Sequence, residues 1–279
     1  MGRDASRNKV RLSVKIMYNS DMKSLAVLIK KDLERLSKPT LVIRIGLGGI
    51  VLAVLTNQIV LVNWPNIALC LVTLVLMVLP DVLSLKLKLT IPGLLEIAYG
   101  LFLFASLVLG EVFAFYGIFP LWDVVLHLLS GFVCAGIGLA LVGFMNGAKL
   151  SAGFTVLVAF CFSMTAGVMW EFCEFAADIT MRTDAQKDAV VGEISTMTMH
   201  ANGSNQPKRI DEIEHTEMFL QNGEVIVVEN GYLDIGLMDT MKDLFVNLIG
   251  AAAFCVLGFF YVKNDGKIKL VDKVIPKKE

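Results

Sequence analysis

Asp239, Asp243 and Asn247 stand four residues apart in the stretch Gly231 to Gly250, GYLDIGLMDTMKDLFVNLIG, where polar sequence runs directly into an apolar span. On an α-helix that spacing stacks side chains on one face, about 6 Å per step along the axis. Asp123 and His127 repeat the spacing in Trp122-Asp123-x3-His127, with Gly131 one turn further on. Glu171, Glu174 and Asp178 are related by i+3 and i+4 at the end of another apolar run, so they too share a face. Ionisable side chains inside a membrane cost about 2.5 to 3.5 kcal/mol each on insertion scales, and they face a protein interior or a water-filled cavity. Carboxylates brought close together raise one another's pKa, which a divalent metal, shared protons or a cationic ligand relieves. Asp, Glu, His and Asn are a ligand set for Mg²⁺, Mn²⁺ or Zn²⁺. The metal candidates are Asp123, His127, Glu171, Glu174, Asp239 and Asp243, with Asp178 and Asn247 as further polar members. His127 and Glu171 are the candidates for moving a proton in catalysis. The bland alternative leaves Asp123, Asp178 and Asp239 in lipid headgroups and has the deeper residues hydrogen-bond between helices.

The elements that must position these groups are membrane helices. The chain has 279 residues, is 56% hydrophobic and only 18% charged, and this excludes an ordinary soluble domain. Six apolar runs, at 41 to 62, 67 to 85, 92 to 116, 119 to 145, 151 to 178 and 241 to 262, each approach the roughly 20 residues that cross a hydrocarbon core. The expected fold is an all-α polytopic membrane protein of about six transmembrane helices. Before the first run, Ser20 to Ser37 has the pattern of an amphipathic interfacial helix, with Met22, Leu25, Leu28, Ile29, Leu33 and Leu36 between lysines. The first apolar run begins only at Leu41, so no cleavable signal peptide is expected. Pro80 kinks or ends the second span. Arg44, near the end of the first span, is expected to snorkel to the headgroups, and Glu96 is given no role.

Charge orients the spans. Residues 1 to 40 hold ten Lys/Arg against four acids, Lys86, Lys88 and Lys149 lie between spans, and the tail from Lys263 holds six against three. The positive-inside rule then makes both termini cytoplasmic. The acidic stretch from Arg182 to Met238, with ten acids against four Lys/Arg, falls outside. The implied organisation is a leader at 1 to 40, spans at 41 to 178, an outer segment at 179 to 238, a last span at 239 to 262 and a basic tail at 263 to 279. In the outer segment, Asn222-Gly223 between β-prone runs predicts a hairpin, and 195 to 208 reads as loop. On this topology the three polar faces meet at one depth, at the outer ends of their helices. The five cysteines all lie in apolar stretches and point to no external disulfide framework.

At these residues the chain resembles the YjdF-type family of small bacterial integral membrane proteins, and more distantly the VanZ-like proteins. The resemblance rests on Asp123-x3-His127, on Trp170-Glu171 with Glu174, and on Asp239-Thr240-x2-Asp243-x3-Asn247-x2-Gly250, and it covers roughly residues 40 to 262. It implies a bacterial cell-membrane protein with these acids and the histidine as shared polar positions, and it brings no established reaction. The VanZ-like likeness implies business with cell-envelope lipids or glycopeptides. The leading expectation is an outward-facing, metal-binding site that acts on or recognises an envelope lipid or a lipid-linked headgroup. A proton- or cation-coupled transporter is the runner-up, and a structural or regulatory membrane protein is the third class. Membrane lipid and a lipid-linked or small-molecule ligand are the expected partners, and no nucleic acid is.

Overall fold

The computed structural model describes residues 36 to 87, 89 to 145, 150 to 199, 206 to 264 and 277 to 278. The expected amphipathic helix at 20 to 37 lies almost wholly outside the described residues. Among them, six helices are long and apolar enough to cross a membrane: Lys38–Val60, Trp64–Ser84, Gly93–Val112, Trp122–Gly143, Ala152–Met181 and Leu237–Lys263. Their apolar side chains are largely exposed while Glu96, Glu171, Asp243 and Asn247 are buried, the reverse of a water-soluble protein. Among the described residues the protein is a membrane protein of six membrane-length helices, with a small strand-bearing segment before Leu237–Lys263.

The chain divides into two compact units, Met1–Leu126 with Gly136–Val158 and Val256–Glu279, and His127–Ala135 with Ala159–Cys255. In the first unit, α1 (Lys38–Val60) starts on Ser37, whose hydroxyl accepts from the Thr40 amide, with Pro39 in the first turn. α2 (Trp64–Met77) is capped by Asn63 and stops just before Pro80, and α3 (Leu79–Leu87) continues the span. Proline has no N–H to give the preceding turn, which accounts for the break. α4 (Gly93–Leu103) runs into a π-helical stretch, Phe104–Val112. The span expected at 92 to 116 therefore ends at Val112, because Ala114 turns left-handed (φ 55°) into the short α5 (Phe115–Ile118). Val51, Cys70 and Val108 form the buried apolar centre of this unit.

Arg44 does not snorkel. Its guanidinium grips Asp81 on α3 through both nitrogens, reaches Glu96 on α4 at 3.3 Å and donates to the Met77 carbonyl oxygen at 3.4 Å. Glu96 is 2% exposed, so its charge requires a cation within the protein. Sequence alone could not pair these groups because they lie 37 and 52 residues from Arg44.

α6 (Trp122–Met145) begins in the first unit and enters the second at His127. The second unit also takes most of α7 (Ala152–Met181) and α8 (Leu237–Lys263), and the strands between them. The strand pairings of this unit, among the described residues, are antiparallel: β1 (Ala189–Val191) with β6 (Tyr232–Asp234), β2 (Ile194–Thr196) with β3 (Lys208–Ile210), and β4 (His215–Phe219) with β5 (Val225–Glu229). β4 and β5 form the expected hairpin around Asn222-Gly223, with Gly223 at φ 86°. The stretch 195 to 208 is not all loop, since its two ends pair as β2 and β3. Strands of three residues are too short to show a period-two pattern.

Candidate metal centre

His127, Glu171 and Asp243, from three helices, meet in the interior of the second unit. The imidazole stands between two carboxylates: Nδ1 is 4.0 Å from Glu171 Oε1 and Nε2 is 3.7 Å from Asp243 Oδ2. His127 is 9% exposed, Glu171 4% and Asp243 1%. Asp123 precedes His127 by one turn of α6, and Asp123, His127 and Asp243 each offer a ligand atom, all within 4.8 Å of one another. Donors sharing one ion at 2.0 to 2.2 Å lie within about 4.4 Å of one another, so a small closure would bring this set onto an ion. Two carboxylate oxygens and one imidazole nitrogen suit Mg²⁺, Mn²⁺ or Zn²⁺ chemistry. With Nε2 turned toward Asp243, Glu171 faces the opposite ring nitrogen, the relation by which a carboxylate orients a metal-binding histidine.

The other candidates take different places. Asp239, 8% exposed, accepts from the Lys187 amide at 3.0 Å and from Lys242 Nζ at 2.7 Å. Lys242 also lies 3.5 Å from Asp243 Oδ1, so one ammonium bridges the outer and the inner aspartate of α8. Glu174 accepts from Trp170 Nε1 at 2.7 Å, one turn away on its own helix. Asp178 accepts from Thr183 Oγ1 and from the Ala185 and Gln186 amides, holding the chain as it leaves α7. Asp178 and Asp239 thus anchor the 183 to 188 segment, and Gln186 Nε2 adds a hydrogen bond to Thr240 Oγ1 at 2.5 Å. Glu111 is exposed.

Beneath the charged group the helices close tightly. Asn247 is 1% exposed, and its amide nitrogen lies 3.4 Å from the Ser163 carbonyl oxygen. Ser163 Oγ in turn donates to the Gly131 carbonyl oxygen at 2.8 Å. A Cβ at Gly131 would sit 2.1 Å from the Asn247 carbonyl oxygen, and one at Gly250 would sit 2.1 Å from that of Leu128. Glycine is required at both crossings because the obstructing atoms are backbone. Sequence reasoning missed Ser163 and Gly167. The signal was there, since they precede Glu171 by eight and four residues. It missed the 183 to 188 strap as well, which no periodicity marks.

A family profile described as "Predicted membrane protein (DUF2238)" matches residues 42–264. The chain belongs to this family. The YjdF-type proteins, to which its polar motifs point, are DUF2238 proteins. The match runs from within α1 to the end of α8 and so takes in every residue of the DUF2238 member's candidate centre. No curated protein and no solved structure matches the chain.

Proposed function

We propose that this protein is a bacterial cell-membrane protein with an outward-facing divalent-metal centre, held by Asp123, His127 Nε2 and Asp243, that acts on or recognises an envelope lipid or a lipid-linked headgroup. The observation that carries the reading is the buried imidazole held between two buried carboxylates, with a third carboxylate in ligand range. Groups so deeply withdrawn from water are costly to keep charged unless something offsets them. Bound there, a metal ion would polarise a phosphoryl or carbonyl oxygen. Glu171 Oε1, 4.0 Å from Nδ1, would orient the imidazole once the group closes on an ion, and Glu171 or His127 would carry the proton that the reaction moves. Lys242 holds Asp239 and Asp243 in register.

The outward placement, with both termini cytoplasmic, is supported by the Lys/Arg bias of the short loops. The distant VanZ-like likeness agrees with an envelope lipid. A cation-coupled transporter is less favoured because the close crossings at Gly131 and Gly250 leave little space for an ion to pass beneath Asn247. Elemental analysis of protein purified without chelator tests the proposal. Near-stoichiometric Mg, Mn or Zn, lost in both Asp243→Asn and Asp123→Asn while each variant keeps its helical content, is the expected result. A folded, metal-free wild type that does not take up added ion overturns it.

A further inference from the structure

A cavity of about 720 Å³ lies where the end of α7 meets the start of α8, in the size range of small-molecule pockets. Its polar lining includes Asp178, Asp184 and Asp188, its apolar lining includes Phe175, Ile179 and Leu237, and no Lys or Arg among the described residues lines it. Phe175 is four residues from Glu171 and Thr240, also in the wall, is three from Asp243. At 1.5 Å per residue the cavity therefore begins about one turn from the buried carboxylates. The acids are not equivalent. Asp178 is committed to the Ala185 and Gln186 amides, whereas Asp184 and Asp188 are exposed. Lys187, the nearest cation along the strap, donates its ammonium to the Asp184 carbonyl oxygen. The carboxyl of Asp188 is held above the ordinary carboxylate range, by desolvation first and then by the charges of Asp184, Asp178 and Asp234. This negative field repels a simple anion and favours a cation. Ile179 and Leu237 are exposed at the ends of membrane-length helices, so the open side of the cavity suits acyl chains rather than water.

We propose that this cavity takes the headgroup of a zwitterionic phospholipid, with the ammonium against Asp184 and Asp188 and the phosphate turned toward the Asp123, His127 and Asp243 group. The phosphate half rests on the metal reading above; the ammonium half does not. The test titrates the full-length protein in detergent with short-chain phosphatidylethanolamine, short-chain phosphatidylglycerol and free phosphoethanolamine, each with added Zn²⁺ and with chelator. The ethanolamine lipid should bind at least about tenfold more tightly than the glycerol lipid, as a charge-assisted contact implies. Asp184→Asn with Asp188→Asn should abolish that preference without lowering the melting temperature. Equal binding of the two lipids, or a preference that survives the double variant, overturns the proposal. Free phosphoethanolamine binding as tightly as the lipid overturns the lipid as source. An Asp184- and Asp188-dependent preference that persists in chelator supports the cavity assignment even if no metal binds, so the two readings fail separately.

Discussion

At the residue scale the molecule turns on charges placed where water does not reach. Arg44 serves Asp81 and Glu96 together, and Glu96 is 2% exposed. Removing one partner of a buried pair costs about 3 to 5 kcal/mol because the other charge stays behind. Arg44→Ala is therefore expected to lower stability by about that amount in detergent unfolding, and Arg44→Lys to recover only part of it, since an ammonium cannot make the two-nitrogen grip. Asp188 gives a pH-dependent counterpart outside the membrane spans. Its folded-state pKa is raised, by desolvation and then by neighbouring carboxylates. Below the unfolded-chain pKa the residue is protonated in both states and contributes nothing. As pH rises from there through the raised folded value, the folded state loses stability. Asp188→Asn should accordingly raise the melting temperature at about pH 7 and leave it unchanged at about pH 3. The polar ladders were legible as residues because four-residue spacing is a local property. The pairing of Arg44 was not, because its partners come from distant helices.

At the scale of elements, three helices position the centre, and glycines set how closely they approach. Gly131 on α6 and Gly250 on α8 each face a backbone carbonyl at a distance that admits no Cβ, whereas Gly143, also on α6, has open space. Gly131→Ala should therefore separate α6 from α8, with an overpacking penalty of about 1 to 3 kcal/mol and weakened metal retention. Gly143→Ala should change neither; thermal denaturation and metal content of the two variants side by side check this. The helices themselves were readable from apolar length, and the break before Pro80 from proline chemistry. Their ends were less so. α7 runs to Met181 and α8 starts at Leu237, beyond the apolar runs, because Asp178 and Asp234 hold the adjoining turns with side-chain hydrogen bonds. Asp178 and Asp239 also accept from the Gln186 and Lys187 amides of the strap, contacts that spacing on a helix face does not reveal.

For the whole molecule, hydropathy alone was enough to read six membrane-length helices. The side on which each end lies is a proposal from loop charge, and it has its own check. A cysteine introduced at position 202, in a background lacking the five native cysteines, should react with an impermeant maleimide added to intact cells. Labelling only after lysis would reverse the orientation and with it the outward-facing site. Burial of an imidazole among carboxylates, on helices whose apolar side chains are largely exposed, is the feature that carries the proposed metal centre. X-ray absorption at the metal edge of the Zn²⁺-loaded protein tests it most directly. One imidazole nitrogen with carboxylate oxygens in the first shell, the nitrogen lost in His127→Ala, is the predicted result; a first shell of oxygen alone, unchanged by that substitution, would contradict it.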